Sequence, residues 1–408
     1  MWDLFTAVWL LAGARFLDFR NDLPTQLLTL FYRPQLAEIS ATIASNPALQ
    51  QKEQLLASLQ KKGYPRNIHG LWVQSQNGEL LAEYQATRPI PAASLTKIAT
   101  TLVAVHRWGL HHHFVTKFAT NGQIVGDTLQ GDLIIIGGGD PLFVWEDAIA
   151  VGNQLNQLGI RKVAGNLILQ NNFAMNFERD PKKVSALFKM AVDANQWQEN
   201  LPQGTPKPSV VFVAGGSNST TTEIKELFSY TSMPLWQILK NMNVYSNNVM
   251  AEILAEQLGG GQKLAQISAK LAGVPQAEIV LLNGSGLGRG NQISPRAVVA
   301  MLIALQNISQ TYGFSIADLL PVGNCRCGTI VFRDLPQSVA VKTGTLDDVS
   351  ALAGIIQTKE QGIIWFAILT QGRGELETFH KVQDDFVNNL SKLWGVNSYY
   401  AERSWQRF

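Results

Sequence analysis

Cysteine is nearly missing: the 408 residues carry two, Cys325 and Cys327, within NCRCGT. On an extended segment a C-x-C pair points its thiols to opposite faces, so a bridge would be strained and free, buried thiols are expected. A metal site would need further ligands. The nearest, His111, His112 and His113, cannot all face one point, and there is no C-x-x-C partner, so no metal is expected. Net charge is only +2, and no basic stripe is interleaved with aromatics, which argues against a nucleic-acid partner. No apolar run reaches the length of a bilayer span, and neither an internal repeat nor a low-complexity tract is present. What remains is an ordinary globular composition, 46% hydrophobic and 16% charged, long enough for two domains.

The N-terminal apolar run, Leu4 to Leu11, ends in Ala12-Gly13-Ala14, an A-x-A pattern like that of a signal-peptidase site, although Met-Trp-Asp ahead of it carries no positive charge. Residues 1–32 are expected as an export signal or a retained anchor, which leaves peripheral membrane association open. Residues 33–62 read as helix, with Leu36, Ile39 and Ile43, then Leu55, Leu56 and Leu59 at helical spacing. Two strand-like runs flank Asn77-Gly78, a hairpin signal, and a helix opens near Ser94.

From residue 111 to 222 the texture changes. A buried strand in GDLIIIGGGDP, a helix in IAVGNQLNQLGI and a strand in VAGNLILQ make a β-α-β pattern, expected as one inserted, smaller α/β domain. After Pro234 the pattern is helical, through PLWQILKNMNVYSNNVMAEILAEQLG and beyond. SVAVKTGT, VSALAGIIQ and IIWFAILTQ are three strands at hairpin spacing, and a helix from near Glu375 to Trp394 closes the chain. The expected fold class is α/β (α+β): residues 33–110 and 223–408 form a body whose antiparallel sheet is built from both chain ends and flanked by helices.

The strand SVAVKTGT raises a question. Period 2 puts Val339 and Val341 on one face, and Ala340, Lys342 and Gly344 on the other. A lysine among small residues fits an edge strand guarded against aggregation. It fits equally a ligand lying along the strand, with Gly344 letting backbone approach and Lys342 meeting a negative charge.

Three short motifs occur in order: Ser94-Leu95-Thr96-Lys97, Ser246-Asn247-Asn248, and Lys342-Thr343-Gly344. S-x-x-K recurs at Ser58–Lys61 and S-x-N at Ser75–Asn77, so context must separate the copies. Ser94 follows Pro91-Ala92-Ala93 at a helix start, where i and i+3 share a face and the dipole favours developing negative charge. A serine becomes a nucleophile beside a base, and a desolvated, partly neutral Lys97 qualifies; the plain alternative is an N-cap serine with an exposed lysine. Ser246 is suited to relay a proton from Lys97 to a leaving nitrogen, and Asn248 to orient a peptide bond. Lys342 would hold a terminal carboxylate with the Thr343 and Thr345 hydroxyls. Backbone N–H groups at Ser94 and Thr345 would receive the oxyanion.

With these motifs, GDLIIIGGGDP, PLWQILKNMNVYSNNVMAEIL, NGSGLGRGNQISP and KTGTLDDVSALAG, the sequence resembles the penicillin-recognising serine peptidases. Within them it is similar to the low-molecular-mass class C penicillin-binding proteins, the D-alanyl-D-alanine carboxypeptidase/endopeptidase family. The resemblance covers most of residues 65 to 390. It implies a β-lactamase/transpeptidase-like body and acylation of Ser94 with Lys97 as base. Ser246 and Asn248 would form a second wall, and Lys342, Thr343, Gly344 and Thr345 the carboxylate-binding strand. It further implies peptidoglycan stem peptides and β-lactams as partners, a periplasmic or cell-envelope address, and no cofactor. Asn247 and Asn283 stand where the family commonly has aspartate; the first is expected to matter little, the second to loosen a structural hydrogen bond. The 152 positions from Ser94 to Ser246 imply one inserted domain rather than two. Two other readings stay open: a β-lactamase, for which no deacylating base is identifiable, and a peptidoglycan-binding protein with an inherited cleft.

Overall fold

The computed structural model describes residues 46–197, 206–213, 223–323 and 325–396. The expected export or anchor segment, and the first part of the expected N-terminal helix, lie outside the described residues. Helix α1 (Pro47–Lys61) buries Ala48, Leu55, Leu56 and Leu59 on one stripe, as their spacing requires. Strands β1 (Gly70–Ser75) and β2 (Leu80–Tyr84) follow, joined through Gly78 at φ +88°, the left-handed conformation that selects an Asn-Gly turn. A two-residue strand β3 (Ile90–Pro91) leads to a single 3₁₀ turn, Ala93–Leu95, and then to α2 (Thr96–Trp108). Every residue of α2 from Thr96 to Val105 is buried, so this helix runs through the body instead of lying on it.

Between α2 and Pro234 the chain forms β4 (Val115–Thr120), β5 (Gln123–Val125), β6 (Thr128–Gln130), β7 (Leu133–Ile136), α3 (Trp145–Gln157), β8 (Lys162–Val163), β9 (Leu167–Gln170), α4 (Pro181–Ala191), β10 (Val211–Phe212) and β11 (Lys225–Thr231), the last within the stretch expected to belong to the body. β7 and β9 pair in parallel across α3, the β-α-β unit expected from the apolar run and the helical pattern after it. β11 returns to pair with β4, so one four-stranded sheet runs β11-β4-β7-β9. The three consecutive histidines diverge. The His112 ring stacks on Trp108, His111 meets Tyr312 and Phe314 edge-on, and His113 Nδ1 lies 2.6 Å from the Ser232 carbonyl.

The chain then forms α5 (Leu235–Tyr245), α6 (Asn248–Gln257), α7 (Gly260–Ala272), β12 (Ile279–Val280), β13 (Gln292–Ile293), α8 (Pro295–Gln310), β14 (Val339–Leu346), β15 (Val349–Gln357), β16 (Ile363–Gln371) and α9 (Leu376–Leu393). The continuous helical pattern expected after Pro234 is broken. Ser246 takes a left-handed backbone (φ +53°), and Asn247 Oδ1 accepts the Met250 N–H at 3.0 Å, capping a new helix.

The central sheet runs β14-β15-β16-β1-β2 with every neighbour antiparallel, and the β1–β16 pairing joins the two ends of the chain. One face carries Val341, Leu352, Phe366 and Ile368 against Leu56 of α1 and Phe379 and Phe386 of α9. The other carries Ala340, Ala351, Ala353 and Ala367 into a cluster with α2 and α8. Each large side chain buried here contributes about 1.5–3 kcal/mol. A one-residue slip of β14 would move Val341 out of its core and turn Lys342 to the wrong face, so packing fixes the register that the site needs.

Cys325 and Cys327, expected as free thiols, are joined by a disulfide. The expectation assumed extended backbone. Arg326 instead has φ +44°, a bend that brings the two Cα atoms within 5.1 Å. Among the described residues no helix is long and apolar enough to cross a membrane.

Candidate active site

Ser94 occupies the 3₁₀ turn just before α2, behind Ala93, which is held at φ +47°. Lys97, in the first turn of α2, is fully buried, and its Nζ lies 2.9 Å from Ser94 Oγ. The same amine donates to Asn248 Oδ1 at 2.7 Å and to the Ser285 carbonyl at 2.8 Å. Burial pushes its pKa down to about 7, with Glu252 opposing the shift. A neutral amine has two N–H bonds and one lone pair. Two fixed acceptors take the N–H bonds, so the lone pair faces the Ser94 hydroxyl. That is the geometry of a base set on one proton.

Lys342 is also fully buried, which removes the reading of an exposed anti-aggregation lysine. Its Nζ donates to Ser246 Oγ at 2.9 Å and to the Thr343 carbonyl at 2.9 Å. Burial, then the nearby Lys97 charge, hold its pKa well below the usual lysine range. Ser246, expected on Lys97, therefore sits on Lys342. The break between α5 and α6 turns its hydroxyl to the strand, while Asn248, at the start of α6, is the residue that reaches Lys97.

β14 is an edge strand, but its first half is covered. Val341 N–H donates outward to the Pro321 carbonyl at 2.9 Å, and the Val339 carbonyl accepts from Gly323 N–H at 3.0 Å. By the alternation of an antiparallel ladder, the N–H groups of Thr343 and Thr345 point to the same outer side as that of Val341. The Ser94 turn packs against this stretch of β14. A Cβ on Gly344 would lie 2.8 Å from the Ala92 carbonyl oxygen and 3.2 Å from Ser94 N. Gly344 thus makes room for the turn that carries Ser94, and the neighbouring alanines make room for the α2 cluster; the small residues serve internal packing where the sequence suggested a ligand. Thr343 Oγ1 is engaged by Thr329 Oγ1 at 2.7 Å, and Thr345 is exposed.

Every expected residue, Ser94, Lys97, Ser246, Asn248, Lys342, Thr343, Gly344 and Thr345, lies around this one cleft. Three more reach it without a motif of their own. Ser285 supplies a carbonyl to Lys97. Glu252 fixes that carbonyl by accepting the Gly284 and Ser285 N–H groups at 3.2 and 2.9 Å. Thr329 holds Thr343. The NGSGL segment was the available signal for Ser285, and SNNVMAEIL the one for Glu252. Asn283 does not loosen its loop, since its Oδ1 accepts the Gly286 N–H at 2.9 Å, a bond asparagine makes as well as aspartate does.

A D-alanyl-D-alanine carboxypeptidase of Actinomadura sp. (strain R39) is 30% identical over 197 residues, 44% of this chain and 36% of that enzyme. Penicillin-binding protein 4 (DacB) of Haemophilus influenzae, solved with a β-lactam, has a similar fold (TM-score 0.64, 18% identity, 83% of this chain and 99% of that one). So has a penicillin G-acylated predatory endopeptidase of Bdellovibrio bacteriovorus, solved with an immunity protein (TM-score 0.63, 23% identity, 80% and 91%). Residues 51–201 and 213–393 match the D-Ala-D-Ala carboxypeptidase 3 (S13) family, and the chain belongs to that family of serine peptidases.

Proposed function

We propose that the protein hydrolyses the D-alanyl-D-alanine end, or the D-alanyl cross-links, of peptidoglycan stem peptides through an acyl-enzyme on Ser94. The observation that carries this reading is the amine of Lys97, buried, held by two carbonyl oxygens and aimed at Ser94 Oγ. Neutral Lys97 takes the hydroxyl proton as Oγ attacks the scissile carbonyl. The oxyanion forms between the Ser94 and Thr345 N–H groups. Ser246, oriented by Lys342, hands its proton to the leaving amine and regains one from the Lys97 ammonium as the C–N bond breaks; the amine departs as the terminal residue or, at a cross-link, as the neighbouring stem peptide. Its carboxylate lies by Thr343 and Thr345 in the field of Lys342, whose ammonium form a nearby negative charge favours. Water then releases the acyl group from Ser94. β-Lactams acylate the same oxygen, and a peptidoglycan substrate supports an address in the cell envelope, on the periplasmic side of the membrane.

Intact mass after incubation with benzylpenicillin tests this on wild type and Ser94→Ala. A one-to-one adduct present only in wild type is expected, lasting minutes to hours. Rapid loss of the adduct would favour a β-lactamase. No adduct on folded protein would leave a peptidoglycan-binding module and sink the enzyme reading.

A further inference from the structure

The Cys325–Cys327 bridge has no part in the reaction above, yet it adjoins both walls of the cleft. Residues one and two positions past Cys327 touch them. Gly328 packs on the Val244 carbonyl so closely that a Cβ would sit 2.0 Å from its oxygen, two residues before Ser246. Thr329 Oγ1 is the partner of Thr343 Oγ1 at 2.7 Å. Ile330 N–H donates to the Cys327 carbonyl at 3.3 Å, and the Ile330 side chain is buried in the core beneath β14. The bridge therefore anchors a short lever with one end on the helix break and the other on the KTG strand. Both cysteines are half-buried, and Arg326 between them is exposed, held in the left-handed region that L side chains avoid. An exposed cation beside a partly accessible disulfide favours an attacking thiolate and the thiolate that leaves.

We propose that Cys325–Cys327 is a reducible clasp, a thiol–disulfide exchange site for a dithiol reductant, whose oxidised form keeps the cleft competent. A thiolate of the dithiol attacks one sulfur, the S–S bond breaks, and the other cysteine leaves as a thiolate that takes up a proton. The second thiol of the reductant resolves the mixed disulfide. The protein ends with two thiols and the reductant as its own disulfide, two electrons and two protons having moved. Arg326 then relaxes from positive φ, Thr329 shifts, and Thr343 loses the partner that sets its hydroxyl. The proposal rests on the peptidase reading of the cleft.

The test equilibrates the full chain in buffers of reduced and oxidised dithiothreitol. Iodoacetamide adducts counted by mass report the bridge, and a fluorescent penicillin reports acylation. Acylation is expected to fall about tenfold as two thiols appear, and to return on reoxidation, about what one lost positioning hydrogen bond is worth. Cys325→Ser/Cys327→Ser should match the reduced enzyme in every buffer. Thr329→Val should show the same fall with the bridge intact, and Thr329→Ser should restore it. Equal acylation rates in the two redox forms, or two alkylatable thiols in protein isolated without reductant, would overturn the clasp. If the oxidised protein is not acylated at all, the peptidase reading has failed instead. Hydrogen exchange over residues 339–346 then still decides the clasp, since identical exchange in both forms rules it out.

Discussion

Lys97 and Lys240 invite comparison, because burial treats them alike and their surroundings do not. Both are almost wholly enclosed, and both donate to backbone carbonyls: Lys97 to Ser285, and Lys240 to Ala317 and Leu320 at 2.8 and 2.5 Å. Burial lowers both, to about 7 and about 8, each with one carboxylate opposing, Glu252 in one case and Asp318 in the other. Lys240 joins α5 to the turn Ile316–Asp318 through the Ala317 and Leu320 carbonyls. Lys97 has Ser94 in its third direction, at the mouth of a cleft. A lowered lysine pKa is thus no mark of function by itself. The hydroxyl beside it is.

The sharpest way to break this comparison is to truncate each amine. Lys97→Met should lower the penicillin acylation rate by about 10³-fold or more, the range over which general bases act. Lys240→Met should leave that rate within about twofold while thermal unfolding shifts downward, since two buried carbonyls lose their donor at about 1–3 kcal/mol. Equal rate losses in the two variants would mean that burial, not the Ser94 contact, matters. A smaller effect is expected from pH. On the proposed reading, in which neutral Lys97 is the base, the acylation rate should rise with pH, by about tenfold per unit well below 7, and level off above about 7. A stopped-flow rate profile that is flat from pH 5.5 to 8 would remove Lys97 as the titrating base. The smallest effect is expected at Asn247→Asp. Either side chain caps α6, so stability in urea should move by no more than about 0.5 kcal/mol and acylation hardly at all.

Much of this site could be read from the residues. S-x-x-K at a helix start, the alternation that set Lys342 against Val341, and the Asn-Gly hairpin all rest on local geometry, and local geometry is what a sequence displays. The break at Ser246 was hidden, because apolar spacing runs through it and only the Asn247 cap marks it. The Ser285 carbonyl was hidden as well, being a backbone atom 188 positions from the lysine it serves. Gly344 was seen but misassigned, since period 2 says which face a residue is on and not what lies against it. The cysteine pair failed on one dihedral angle, that of Arg326.

The pairing of β1 with β16 has a consequence in time. Ser94 and its helix emerge early from the ribosome, but the strand that completes the cleft follows some 250 residues later. The sheet closes only by joining two distant ends, a costly loop closure that tends to come late in folding. A partly made chain therefore carries Ser94 without β14 and without Lys342. A chain interrupted before β14 is therefore expected to leave a fragment that penicillin does not acylate.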